Sequence, residues 1–98
     1  MNIVFLDAAQ AEFDHTIAYY EEQNSGLGFD FAEEVERALE RIKHYPRAWS
    51  PLSLRLRRCV VNRFPYSVIY ETRREMIIVV AIQHHHQRPE SWRSRVIE

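Results

Sequence analysis

Apolar residues recur at helical spacing along two stretches in the first half of the chain. The first stripe is made of Ala9, Phe13, Ile17 and Tyr20. It predicts a helix from about residue 8 to residue 23. The second stripe is made of Phe31, Val35, Leu39 and Ile42. It predicts a helix over residues 28–44, which ends before Pro46 because the residue preceding a proline disfavours helical geometry. Both glycines of the chain lie between the stripes, so the first half predicts a helical hairpin.

Two local features refine these helices. Residues 7–10 read Asp-Ala-Ala-Gln and have the form of a capping box, in which Asp7 accepts from the backbone N–H of Gln10 and the Gln10 side chain reaches back. On the second helix, Glu33 and Arg37 form an attractive i,i+4 pair on a polar face that also includes Glu34. We expect that face to be solvated.

Short apolar runs predict four strands, at residues 2–6, 56–61, 66–71 and 76–82. The last of these is apolar on both faces, which predicts a central strand covered from both sides. Pro65 has no backbone N–H and therefore suits the start of a strand. The order of strand, two helices and three strands predicts an α+β fold, with the helical hairpin on one face of a largely antiparallel sheet. The length of 98 residues fits one domain, 1–98.

Charge is divided unevenly along the chain. Residues 1–46 contain ten acidic and three basic residues, a balance of −7, and residues 47–98 contain four acidic and ten basic residues, a balance of +6. All ten basic residues of the second half are arginines, which suit bidentate contacts with carboxylate or phosphate groups. Either acidic helices and a basic sheet neutralise each other, or the arginines form a surface for an acidic partner or a nucleic acid.

The remaining composition narrows the class of protein. Cys59 is the only cysteine; it excludes an internal disulfide, fits a reducing, cytoplasmic location, and is expected to be a small buried side chain. No apolar run approaches the roughly 20 residues of a membrane span, so no membrane partner is expected. Of the consecutive histidines, only His84 and His86 would share one face of an extended chain, and no cysteine or carboxylate pair with ligand spacing lies nearby. No metal or other cofactor is therefore expected.

Several short motifs occur in a recognisable order along the chain. They are Tyr19-Tyr20, Gly26-Leu27-Gly28 with Phe31, Tyr45-Pro46 with Trp49, Arg57-Arg58, Arg63-Phe64-Pro65-Tyr66, Ile69-Tyr70, and Ala81 with His84, Arg88-Pro89, Trp92 and Arg95. In this order and spacing, over nearly the whole chain, the sequence resembles the RelE/ParE toxin superfamily, and its ParE-like branch in particular. The resemblance implies a β-α-α-β-β-β fold whose last three strands form an antiparallel meander.

The resemblance also implies a function. It implies the toxin of a type II toxin–antitoxin module, held inactive by a cognate antitoxin whose flexible segment folds on binding. A toxin–antitoxin hetero-oligomer or a homodimer would be the assembled form. ParE-like members inhibit DNA gyrase and have no known catalysis of their own, whereas RelE-like members cleave mRNA in the ribosomal A site.

Three departures from the nuclease pattern favour the gyrase inhibitor. Metal-independent RNA cleavage needs a base, a group that stabilises the charged phosphorane, and an acid. RelE-like enzymes are rich in lysine and arginine around the site and usually carry a tyrosine near the C-terminus, and relatives use a glutamate base. This chain has no lysine after Lys43, no carboxylate between Glu40 and Glu71, where the family's glutamate would lie, and no tyrosine after Tyr70. If it is nevertheless an endoribonuclease, Arg58 and Arg63 would hold the phosphate, and one of His84, His85 and His86, with His84 preferred, would be the acid or base. A degenerate, non-toxic family member is the third alternative.

The candidate residues for binding the antitoxin or the target lie in the second half of the chain. They are Arg57, Arg58, Arg63, Arg88, Trp92, Arg93 and Arg95. An exposed tryptophan among arginines is typical of an interface hot spot. Each candidate also has a structural alternative. The arginines could form a charged strand edge that prevents aggregation, Trp92 could pack back on the sheet, and His84 could close the sheet against Arg88 and Trp92.

Overall fold

The computed structural model describes residues 1–96, so positions 97 and 98 of the predicted domain, at the end of its polar tail, lie outside it. Helices and strands follow in the order β1 (Asn2–Phe5), α1 (Asp7–Gln23), α2 (Leu27–His44), β2 (Ser50–Pro51), β3 (Leu56–Val60), β4 (Tyr66–Arg73), β5 (Met76–His84) and a 3-10 helix (Pro89–Arg95). None of the helices within residues 1–96 has the length and apolarity needed to cross a membrane.

The strands form one mixed sheet in the order β1-β5-β4-β3-β2. β3, β4 and β5 pair antiparallel, as an antiparallel meander should, and β1 joins the sheet parallel to β5. The predicted α+β fold is therefore confirmed. The two-residue strand β2 and the C-terminal 3-10 helix were not predicted, because neither contains a periodic apolar pattern.

The turn of the helical hairpin depends on both glycines and on Glu21. Gly26 has a φ of 90°, in the left-handed region that glycine adopts without strain. A Cβ atom on Gly28 would collide with the Ile17 carbonyl oxygen, so only glycine lets the helices approach this closely. The Glu21 carboxylate of α1 accepts the backbone N–H groups of Gly26 and Gly28, at 2.9 and 3.0 Å. This satisfies amide groups at the start of α2 that have no partner within the helix.

Two predictions of local detail are wrong. The capping box does not form, because α1 begins at Asp7 and the Gln10 N–H bonds to the Leu6 carbonyl, while the Gln10 side chain donates to Asp14. On α2, Arg37 pairs with Glu34 at 3.0 Å instead of with Glu33.

Glu34 is also not solvated: it is 5% exposed. Arg63, from the loop after β3, approaches the same carboxylate. The polar side of α2 is therefore partly covered by the loop before β4, a tertiary contact that helical periodicity does not encode.

Apolar side chains pack on both faces of the sheet. The larger core lies between the sheet and the helices and includes Phe31, Val35, Cys59, Val68, Tyr70 and Ile77. The smaller core lies on the other face and consists of Leu56, Ile69, Val80, Ala81 and Trp92. A register shift between Ile69 and Tyr70 lets Val80 and Ala81 both join the smaller core. β5 is therefore covered from both sides, as predicted, and Cys59 is buried.

Candidate functional site

Arg57 and Arg58 lie on opposite faces of the sheet because they are consecutive residues of β3. Arg57 lies across from Tyr70, on the face that carries the helices, and it donates to the Trp49 carbonyl at 2.9 Å. Arg58 lies across from Ile69, on the other face, and is exposed. The two residues therefore do not contribute to one surface.

Arg63 lies in the loop between β3 and β4 and is directed toward α2. Its φ is 72°, and its guanidinium lies 3.7 Å from Asp30 and 3.9 Å from Glu34. The same guanidinium lies 5.6 Å from the centre of the Phe64 ring. Arg63 thus links the loop to the acidic helix within the chain.

Trp92 packs on the sheet and is only 4% exposed. It covers the smaller core, and its indole N–H donates to Gln83 Oε1 at 3.1 Å. Arg93 lies over the indole, with its guanidinium carbon 5.9 Å from the ring centre. Of the two alternatives for Trp92, the structure therefore has the packed one. Arg88 and Arg93 are exposed, and their role in binding stays a prediction.

Arg95 joins the C-terminal 3-10 helix to α1. Both terminal nitrogens of its guanidinium bind the Glu12 carboxylate at 2.9 Å, and one of them also donates to the Val80 carbonyl at 3.0 Å. The hydrogen bonds to Glu12 raise the pKa of Arg95 above its ordinary value. Glu12 Oε1 further accepts the backbone N–H of Ile82 at 3.1 Å. Sequence reasoning missed Glu12, which pairs with a residue far along the chain.

His84 lies at the end of β5, beside a groove against α1. This α1 groove has a volume of about 440 Å³, and the side chains around it include Glu12, His15, Tyr19, Tyr20, Tyr66 and His84. The α1 members recur at helical spacing next to the buried stripe, and this polar row is the pattern that could have revealed the groove.

The surroundings of the His84 ring favour its neutral form. It packs edge-on against Tyr66, with 5.0 Å between ring centres, and its Nδ1 accepts the backbone N–H of His86 at 3.0 Å. Desolvation lowers the pKa of His84, and the neighbouring His86 and His85 lower it further. A neutral imidazole with Nδ1 occupied has only its Nε2–H left to donate.

A second groove collects most of the arginines of the middle of the chain. This arginine groove has a volume of about 550 Å³, and its charged lining consists of Arg47, Arg55, Arg57, Arg73, Arg74 and Glu71. Tyr70 lies at its inner side, donates its hydroxyl to the Pro46 carbonyl at 2.6 Å, and has a pKa raised to about 12 by burial. Of the residues predicted to bind, only Arg57 lies in this groove.

The residues predicted for a nuclease are not brought together. Arg58 lies on the face away from the helices, His84 lies across from Tyr66 on the helix side, and Arg63 is paired with acidic residues of α2. Among residues 1–96, no group of three histidine, cysteine, aspartate or glutamate side chains is arranged to hold a metal ion.

Comparison with known proteins gives the family. Residues 3–89 match the family described as the ParE toxin of the type II toxin–antitoxin system, parDE. A solved structure titled "Chromosomal ParDE TA system from P. aeruginosa" matches with a TM-score of 0.67 and 14% sequence identity, covering 86% of this chain and 95% of that one. At this identity it shows a shared fold. No curated protein gives a significant sequence match. Because the family match runs from β1 into the C-terminal 3-10 helix, the chain belongs to the ParE toxin family of type II toxin–antitoxin systems.

Proposed function

We propose that this toxin inhibits DNA gyrase by binding to it, without catalysis of its own, and that a cognate antitoxin neutralises it. Family membership supports the proposal. The observation that supports the choice of target is the separation of Arg58, Arg63 and His84, the residues that the sequence favours for a nuclease role.

This separation weakens the case for phosphoryl transfer. An RNA cleavage site must hold a base, an acid and a charge-stabilising group around one phosphorus atom. Arg58 and His84 lie on opposite faces of a sheet, so one phosphate cannot contact both. Arg63 already faces Asp30 and Glu34, and an incoming phosphate would have to displace these carboxylates.

A gyrase supercoiling assay with the purified chain tests the proposal. We expect the chain to block introduction of negative supercoils, and we expect Lys43→Gln, which removes an exposed charge on α2, to do the same. Supercoiling that proceeds normally even in a large excess of the chain would contradict the proposal.

Ribosome-dependent mRNA cleavage is the second candidate function. It is favoured by the position of His84 beside the α1 groove and by its lowered pKa, since a histidine in its neutral form can act as a base. It predicts cleavage of mRNA during translation in a purified system, abolished by His84→Ala and retained by Lys43→Gln. If mRNA stays intact in that system while the chain inhibits supercoiling by gyrase, the chain is a gyrase inhibitor and not a nuclease.

A further inference from the structure

The arginine groove lies at the end of the sheet where β4 turns into β5. Its lining contains five arginines and one carboxylate, that of Glu71, so the charge of its lining is +5 − 1 = +4. Glu71 is buried and lies 3.5 Å from Arg73, which leaves it little reach toward the other guanidinium groups. The groove therefore holds uncompensated positive charge in a concave surface.

Several of these arginines have no counter-ion among the side chains that the structure describes. The side chains of Arg47, Arg55 and Arg74 make no hydrogen bond or ion pair with any group that the structure describes. Their guanidinium groups can each form a two-pronged contact with an incoming carboxylate. This distinguishes them from Arg57, whose guanidinium is bound to the Trp49 carbonyl.

The groove continues across the end of the sheet. A second depression of about 480 Å³ is lined by Asn2, Arg73, Arg74, Glu75 and Met76, and it shares two arginines with the first. The two depressions run from the loop before β3, past the β4–β5 turn, to the start of β1. With strands about 4.8 Å apart, the path is long enough for about four residues of extended chain. An extended segment fits it better than a single small anion.

Exposed apolar side chains lie at both ends of this path. Leu54 is 91% exposed in the arginine groove, and Met76 is 36% exposed in the second depression. A segment that carries apolar as well as acidic residues would cover them. The apolar contacts would supply hydrophobic stabilisation that a purely ionic ligand could not.

The rest of the surface favours a peptide over a nucleic acid. The chain has a formal net charge of −1, whereas nucleic-acid-binding domains are usually strongly basic. Arg63 and Arg95, which would extend a basic surface, are paired with acidic residues of the helices.

We propose that the arginine groove binds an extended acidic segment of a partner protein. Carboxylates of the segment pair with Arg47, Arg55 and Arg74, and an apolar side chain packs on Leu54. The identity of the partner rests on the function proposed above, under which the segment belongs to the antitoxin.

Fluorescence anisotropy of a short labelled peptide with alternating glutamate and leucine tests this binding on the full chain. We expect the double variant Arg47→Gln, Arg55→Gln to raise the Kd about tenfold or more, because two charge-assisted contacts are lost. Lys43→Gln, the matched removal of a cation outside the groove, should leave the Kd unchanged, and a glutamine–leucine peptide should bind much more weakly. Equal affinity of the double variant and the wild type would overturn the proposal.

Two further measurements keep the test decisive if the double variant folds poorly. Amide NMR shifts of the wild-type chain should change on peptide addition at residues 47–57 and 70–76, and changes confined to other residues would refute the assignment. If a single-stranded DNA oligonucleotide bound more tightly than the peptide and shifted the amide signals of the same residues, the ligand of the groove would be a nucleic acid. That result would overturn the proposal of a peptide ligand.

The gyrase assay separates this proposal from the one on which its partner rests. If the chain binds the peptide in the groove but does not inhibit gyrase, the proposed binding site is supported and gyrase is refuted as the target. If the chain inhibits gyrase but does not bind the peptide, only the proposed role of the arginine groove is refuted.

Discussion

Arg95 and Glu12 illustrate how a charged side chain can serve the fold instead of a surface. Their side chains are 20% and 25% exposed, and together they bind the backbone at Val80 and Ile82. The 3-10 helix that carries Arg95 also carries Trp92, so the ion pair helps hold Trp92 over the smaller core. We infer that Arg95 positions the C-terminal helix.

Replacement of either member of this pair should destabilise the chain. We expect Arg95→Met or Glu12→Gln to lower the free energy of unfolding by about 1–3 kcal/mol, because the remaining partly buried group loses its charge-assisted hydrogen bonds. Lys43→Met, which breaks an exposed ion pair with Glu40, should cost less than about 0.5 kcal/mol. Urea unfolding measures the free energy of unfolding of each variant. A loss for Arg95→Met equal to that for Lys43→Met would contradict this account of Arg95.

His84 should titrate below the ordinary value for histidine. Because its pKa is lowered in the folded chain, the unfolded chain binds the proton more tightly. The contribution of His84 to stability is therefore complete above the unfolded pKa of about 6.5 and is lost as the pH falls through and below that value. Protonation also removes the Nδ1 acceptor of the His86 N–H.

An NMR titration of the imidazole resonances tests this, with the His84→Gln variant used to assign the signal. A His84 pKa at or above the ordinary histidine value would contradict the packing described for Tyr66 and His86.

At these individual positions the sequence is an incomplete guide. It cannot decide whether Trp92 is exposed or packed on the sheet. The outcome depends on the direction that the chain takes after β5, which the sequence pattern does not encode. It places Arg95 among binding residues because its partner Glu12 lies on α1, far away along the chain. Charge and spacing identify candidates for pairing, whereas the tertiary fold decides which pairs form.

The helical hairpin is the most predictable part of the fold. Apolar periodicity locates α1 and α2 to within one residue at each end, because each helix buries a single stripe against the sheet. The short strand β2 and the 3-10 helix depend on tertiary contacts, namely pairing with β3 and burial of Trp92. The two grooves also depend on tertiary structure, since each is assembled from separate elements.

The two glycines of the hairpin should respond differently to substitution. Gly28→Ala places a Cβ against the Ile17 carbonyl oxygen and should cost about 1–3 kcal/mol through forced separation of α1 and α2. Gly26→Ala meets no atom within 4 Å and should cost about 1 kcal/mol, from the strain of its positive φ.

Thermal or urea unfolding of both variants checks the order of the two effects. A Gly28→Ala variant as stable as the wild type would show that the helices do not depend on this close approach.

The arginines of the second half of the chain fall into two groups. Arg63 and Arg95 neutralise acidic residues of the helices, at Asp30, Glu34 and Glu12. The arginine groove, in contrast, gathers positive charge at one end of the sheet. A chain that is nearly neutral overall can therefore present a local surface for an acidic segment.

The central claim is that this ParE-family toxin acts on gyrase. The most direct test is the topology of DNA in cells after the chain is induced without its antitoxin. The account predicts loss of negative supercoiling accompanied by DNA breakage. Unchanged topology would contradict it: growth arrest with truncated mRNAs would then indicate the ribosome-dependent nuclease, and undisturbed growth a degenerate member of the family.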